Sequence, residues 1–211
     1  MTNIYDKAYS RDKRGIKYSD YGELAINLLH RYNCKKLLDL GCGQSMITLE
    51  ASKFCNVTGL DISEVALKPM KELGLKNAVF VVGDCRALPF PDCSFDVIVA
   101  AELIEHLTKE DGVKLLLEAK RVLQPGGKLI ITTPIRKNAL IQFYNRTSFR
   151  ILDLRGSWTH IHEYNVLELF EAMVKSFKIV YFSKMSPAKL LFGLLNIGER
   201  RQVIIGEKNG V

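Results

Sequence analysis

Between residues 35 and 134, five short apolar runs alternate with amphipathic stretches, and that rhythm constrains the chain more than any other feature. The runs lie at 36–40, 57–60, 79–82, 95–100 and 128–132. Each is apolar throughout, as expected of strands covered on both faces in a parallel sheet. The intervening stretches carry helix signals. Ser63 is placed to cap a helix that Gly74 ends, and Thr108 with Asp111 forms a capping-box-like start. This second helix is predicted to carry Val113, Leu116 and Leu117 on one face and to stop at Pro125, Gly126 and Gly127. Strand–helix alternation at this spacing predicts an α/β fold, with right-handed crossovers and helices on both sheet faces.

The flanks are less regular. Residues 18–32 read as a helix entering the first strand, and 179–183 and 202–206 as two closing strands. Residues 135–164 are rich in Arg and aromatic groups without clear periodicity, and read as a lid or acceptor segment. The apolar stretch 189–197 reads as a short helix packed on the domain itself, too short to span a bilayer. With no repeat or linker in sight, residues 1–211 read as one domain with its core at 35–134.

Composition narrows the class. At 47% hydrophobic and 25% charged, the chain is an ordinary globule. Residues 1–16 lack the apolar core of a signal peptide. The five cysteines are odd in number and contain no C-x-x-C pair, which argues for reduced thiols in a cytoplasm. The net charge of +7 divides as +2 over residues 1–34, −1 over 35–134 and +6 over 135–211. A basic last third suits an anionic acceptor or a nucleic acid, and equally a solvated surface.

The sharpest local signal is Leu37-Leu38-Asp39-Leu40-Gly41-Cys42-Gly43-Gln44-Ser45, a buried strand running into a glycine-rich turn. Glycines there let a ligand approach the backbone. Dinucleotide enzymes use the same place, but their G-x-G-x-x-G pattern demands glycine at 46, where this chain has Met46. Asp39 before the turn suits a cationic ligand. Asp61, in Gly59-Leu60-Asp61-Ile62-Ser63, follows about 20 residues after the turn, the separation expected of a ribose-binding acid. Its side chain is expected to face a solvated cleft, so that its loss costs ligand affinity and little stability. Asp84, in Val82-Gly83-Asp84-Cys85-Arg86, is placed to accept from an exocyclic amine. The fourth run brings Ala100 and Glu102 to the same edge, and His106 follows.

In that order, LLDLGCGQS, GLDIS, GDCRALPFPDCSFDVIVAAELIEHL and LQPGGKLIITTP resemble class I S-adenosylmethionine-dependent methyltransferases, most nearly the type 11 and ubiquinone-biosynthesis subgroup. The resemblance covers residues 35–134. It implies a doubly wound, Rossmann-like sheet of seven strands, mostly parallel, with a C-terminal antiparallel strand. It also implies that Asp39 holds the methionine ammonium indirectly and that Gly41, Cys42 and Gly43 face the methionine. Asp61 and Ile62 would meet the ribose, and Asp84 and Cys85 the adenine. The Ala100 carbonyl would take the ammonium, with Glu102 beside it. His106 and a lid histidine, His160, would stand at the methyl-transfer end; a packed or surface role for each is an equal reading. Ser45 departs from the pattern, standing where many members have a third glycine.

The function implied is methyl transfer from S-adenosylmethionine to a small-molecule acceptor, leaving S-adenosylhomocysteine. Competing readings are an RNA or protein methyltransferase on the same fold, a nicotinamide oxidoreductase, and a non-catalytic cofactor-binding partner. Methyl transfer from a sulfonium is an in-line displacement, so no catalytic triad is expected. No metal site is expected either, because the run His160, His162, Glu163 lacks further ligands.

Overall fold

In the computed structural model, residues 20–134, 166–185 and 201–209 are described. Helix α1 (Asp20–Arg31) leads into strand β1 (Lys36–Leu40), then α2 (Met46–Ala51), β2 (Asn56–Asp61), α3 (Glu64–Glu72) and β3 (Ala78–Val82). Strand β4 (Phe95–Ala101), a 3₁₀ turn at Ile104–His106, α4 (Lys109–Val122) and β5 (Leu123–Pro134) follow. The last elements are α5 (Val166–Val174), β6 (Lys178–Met185) and β7 (Arg201–Glu207). The strands form one sheet in the order β3-β2-β1-β4-β5-β7-β6. Pairing is parallel from β3 across to β5, while β7 runs antiparallel to both β5 and β6.

Neighbouring residues of each central strand explain why the runs read as continuously apolar. Leu37, Val57, Val97, Val99, Ile130 and Ile205 enter one core, covered by Leu28 and Leu29 of α1 and Ile47 and Ala51 of α2. Leu38, Leu40, Ile98, Leu129, Ile131 and Ile204 enter the other, covered by Leu115, Leu116 and Ala119 of α4 and Leu169 and Met173 of α5. Alternate side chains thus point to opposite faces and both are dry, at about 1.5–3 kcal/mol for each large aliphatic side chain buried.

Three sequence expectations need correction. Strand β3 is the sheet edge, and Val79 is 60% exposed, so it is not covered on both faces. Helix α4 buries Gly112, Leu115, Leu116, Ala119 and Val122, while Val113 and Leu117 face outward. The pattern Leu115, Leu116, Ala119 gives the narrower stripe that fits the sheet. The same helix ends at Val122, before the Pro-Gly-Gly triplet. Leu123 already pairs with Phe95, and the ladder resumes at Val97 and Lys128, so Pro125, Gly126 and Gly127 bow out of β5. The stretches 135–164 and 189–197, with His160, lie outside the described residues. No helix among the described residues is long and apolar enough to cross a membrane.

Strand order reverses between β1 and β4, because β1 connects outward to β2 while β4 lies on its other side. In open α/β sheets, ligands bind in the crevice at that reversal, beyond the carboxyl ends of the strands. Asp39 pairs with Val99 and Leu40 with Ala100 across this seam, so the suspected residues meet there.

Candidate active site

The turn after β1 is built from local chemistry. Gly41 and Gly43 have φ of 64° and 43°, in the left-handed region that costs other residues about 1–2 kcal/mol. A Cβ on Gly41 would also stand 2.8 Å from Leu103 Cδ1, so a larger residue would strain the backbone and displace Leu103. Cys42 N–H donates to the Leu60 carbonyl at 3.1 Å and ties the turn to β2. Ser45, the departure from the family pattern, begins α2. Its Oγ accepts from the N–H groups of Ile47 and Thr48 at 3.1 and 3.2 Å and donates to Asp39 Oδ2 at 2.7 Å.

Asp39 is buried. Its Oδ2 also accepts from Thr48 Oγ1 at 2.6 Å, and it makes no ion pair among the described residues. Burial pushes its carboxyl up to about 6; the two hydroxyls pull against that, and the charge of Asp61 adds to it. Cys42, beside them, has its thiol raised by burial and by both acids, so it acts as a small apolar wall.

Asp61 corrects the expectation of a carboxylate facing solvent, since it is only 6% exposed. Its Oδ2 accepts from Gly43 N–H at 2.8 Å and its Oδ1 from Ser63 N–H at 2.9 Å. One side chain therefore holds the glycine turn and the start of α3 together. Ser63 Oγ accepts from Ala66 N–H at 3.1 Å, the cap that the sequence predicts. Ile62 beside it is 42% exposed, an apolar side chain left at the mouth of the crevice.

The loop after β3 is clamped from α4. Arg121 donates to the carbonyls of Leu88 and Phe90 at 2.9 and 2.8 Å, and Glu118 accepts from Leu88 N–H at 2.7 Å. Leu88 and Cys85 are buried, and burial pushes the Cys85 thiol up to about 12. Asp84 is partly exposed, and hydrogen bonding to Arg86 holds its carboxyl below the usual carboxylate range.

Across the seam, Ala100 is fully buried in β4. Glu102 adopts φ of 53°, held by its N–H on the Thr132 carbonyl at 2.9 Å and by Thr132 Oγ1 on its Oε1 at 3.0 Å. A left-handed non-glycine residue at a crevice is the sort of local strain found at binding sites. His106 ends the 3₁₀ turn that follows, partly buried, on the approach from β4 to α4. Sequence reasoning missed three residues here. Thr48 and Ser45 hold Asp39, and buried Glu105 accepts from Thr133 Oγ1 at 3.0 Å. Only Ser45 had a legible signal, a capping residue directly before an apolar run.

A cationic methionine-and-nucleoside ligand fits these residues. Two buried acids adjoin a glycine turn at the sheet reversal, and among the described residues no counter-cation pairs with Asp39. Comparison with known proteins agrees. Residues 38–131 match the type 11 family described as a methyltransferase domain. A crystal structure of an S-adenosylmethionine-dependent methyltransferase from Methanosarcina mazei superimposes with a TM-score of 0.69 at 26% identity, covering 86% of this chain and 97% of that one. Residues 38–131 are thus similar to that methyltransferase-domain family, and the sheet has the architecture of a solved S-adenosylmethionine-dependent methyltransferase.

Among curated proteins, the chain is similar to 27-O-demethylrifamycin SV methyltransferase of Amycolatopsis mediterranei, 36% identical over 103 residues. That match covers 46% of this chain and 37% of the relative. It is also similar to the ubiquinone/menaquinone biosynthesis C-methyltransferase UbiE of Psychromonas ingrahamii, 34% identical over 134 residues. There the match covers 58% of this chain and 52% of the relative. The chain spans about half or less of the length of these relatives.

Proposed function

We propose that this chain transfers the methyl group of S-adenosylmethionine to a small-molecule acceptor by in-line displacement. The observation that carries the reading is the pair of buried acids, Asp39 and Asp61, locked around the Gly41–Gly43 turn at the sheet reversal. A small acceptor is supported by the relatives, whose names specify a rifamycin and a quinone pathway.

When bound, the cofactor supplies an electrophilic methyl on a sulfonium. The chain's residues bind and orient it. Asp39 lends negative charge toward the ammonium through the Ser45 and Thr48 hydroxyls, and the Ala100 carbonyl and Glu102 face the same group. Asp61 and Ile62 flank the ribose, Asp84 and Cys85 the adenine. His106 stands on the acceptor side, available to take a proton if the attacking atom carries one. The acceptor is chosen by residues 135–164, His160 among them, a segment that leaves β5 at Pro134 on the crevice edge. Holding nucleophile and methyl in line and excluding water is most of the catalysis required.

Calorimetric titration tests this directly. S-adenosylmethionine and S-adenosylhomocysteine should bind, and nicotinamide dinucleotides should not, because Met46 removes their third glycine. Tighter binding of a nicotinamide cofactor would overturn the proposal.

A further inference from the structure

Arg86 engages both carboxylate oxygens of Asp84. Its backbone N–H donates to Oδ1 at 2.8 Å, its Nε reaches both oxygens at 2.9 Å, and Nη2 donates to Oδ2 at 2.6 Å. The remaining arm, Nη1, donates to Asp111 Oδ2 at 2.7 Å. Asp111 belongs to the first turn of α4, where its N–H donates to Thr108 Oγ1 at 3.2 Å and its Oδ1 accepts from Lys114 at 3.0 Å. One guanidinium therefore ties the end of β3 to the start of α4.

A flat fork fixes the plane of a carboxylate, which a flexible ammonium does not. Three N–H groups of Arg86 meet the two oxygens, which offer about four lone-pair sites, so the carboxylate can still accept one further donor. An ionised carboxylate only accepts hydrogen bonds, and hydrogen bonding to Arg86 favours that form of Asp84 further. An acceptor-only group tells a purine with an amine at C6 from one with a carbonyl there, because the second presents oxygen to oxygen.

We propose that Arg86, held by Asp111, is a positioning residue that aims Asp84 at the adenine amine and sets the selectivity of the site for adenine over hypoxanthine nucleosides. The inference rests on the reading that Asp84 meets the adenine of the cofactor. The other groups around this loop are engaged elsewhere, since Arg121 and Glu118 grip its backbone and Cys85 is apolar wall.

Titration with S-adenosylhomocysteine and its 6-oxo counterpart, S-inosylhomocysteine, reads the selectivity. Wild-type protein should favour the adenine compound by about tenfold to a hundredfold, the span of a hydrogen bond to a charged group. Arg86→Met should reduce that ratio to a few-fold, and Asp111→Asn should fall between. Arg86→Lys should not restore it, since charge returns without the fork. A merely structural role would weaken both ligands together and leave the ratio unchanged. An unchanged ratio in Arg86→Met overturns the inference, as does full selectivity in Arg86→Lys. If Arg86→Met does not fold, an unchanged ratio in Asp111→Asn overturns it equally. Wild-type protein that binds both ligands equally overturns the inference and leaves the cofactor reading standing. Binding of neither overturns that reading, and the inference with it.

Discussion

Asp39 and Asp61 lie near the ends of adjacent inner strands, buried against hydroxyls and backbone N–H groups, whereas Asp84 follows the edge strand and faces a guanidinium in partial contact with water. The three are one residue type at one edge of one sheet. They differ in what compensates their charge. In the inner corner the compensation comes from neutral dipoles in a low-dielectric setting, where each hydrogen bond counts fully and the charge itself is costly. At the outer edge it comes from a full opposite charge that solvent screens. The inner corner should therefore govern folding and cofactor charge, and the outer edge selectivity.

The strongest way to break this contrast is Asp61→Ala. It leaves the Gly43 and Ser63 N–H groups without their acceptor, and an orphaned buried donor costs about 1–3 kcal/mol each. Denaturant unfolding should show a loss of about 2–5 kcal/mol, with S-adenosylhomocysteine affinity falling alongside because the turn loosens. A loss within the range of ordinary surface substitutions would mean that water enters and takes over the bridge.

Asp39 sharpens the contrast through pH. Its carboxyl is raised to about 6 by burial, so the folded protein holds a proton there that the unfolded chain has released. Stability from this group is greatest below the unfolded value near 4 and declines as pH rises through about 6. A shift of this size corresponds to about 3 kcal/mol over that window. Asp39→Asn keeps an oxygen for the Ser45 and Thr48 hydroxyls and removes the titration. The mutant should lose that decline when stability is measured from pH 4 to 7. Binding of S-adenosylmethionine to wild-type protein should strengthen over the same rise, as the carboxyl ionises. A mutant with the same pH slope as wild type would place the charge cost elsewhere.

The fold and the inner corner differ in how far sequence revealed them. Apolar runs such as 36–40 and 95–100 identify strands because continuous burial leaves little choice of residue, and Ser63 and Thr108 identify helix starts by their capping chemistry. The position of β3 at the edge was not legible, since its apolar run looks the same whether a neighbour strand covers it or not. Asp39 and Asp61 stood out in the sequence as candidate site residues, but the role of Asp61 as a bridge did not. A carboxylate between two backbone N–H groups leaves no trace in sequence, because any residue can supply those donors. Val113 and Leu117 misled for a related reason. Apolar residues alone cannot say which of two overlapping stripes on α4 meets the sheet.

The smallest expected effect is on the outer edge. Asp84 and Arg86 are 33% and 39% exposed in their side chains, so their attraction is screened and side-chain ordering offsets part of it. Asp84→Asn should change stability by less than about 1 kcal/mol, and raising salt from about 0.05 to 0.5 M should shrink the difference. The sign of the pH effect is opposite to that of Asp39. Arg86 lowers the Asp84 carboxyl, so this contribution is present at neutral pH and is lost only as pH falls through the lowered value. Two carboxylates on one sheet edge should then pull stability in opposite directions, Asp39 declining up to about pH 6 and Asp84 failing only in stronger acid. Unfolding curves of the two Asn mutants across pH 3 to 7, at low and high salt, separate them. A loss at Asp84 that is large and indifferent to salt would show that the outer pair is as dry as the inner one, and the contrast between the two corners would fail.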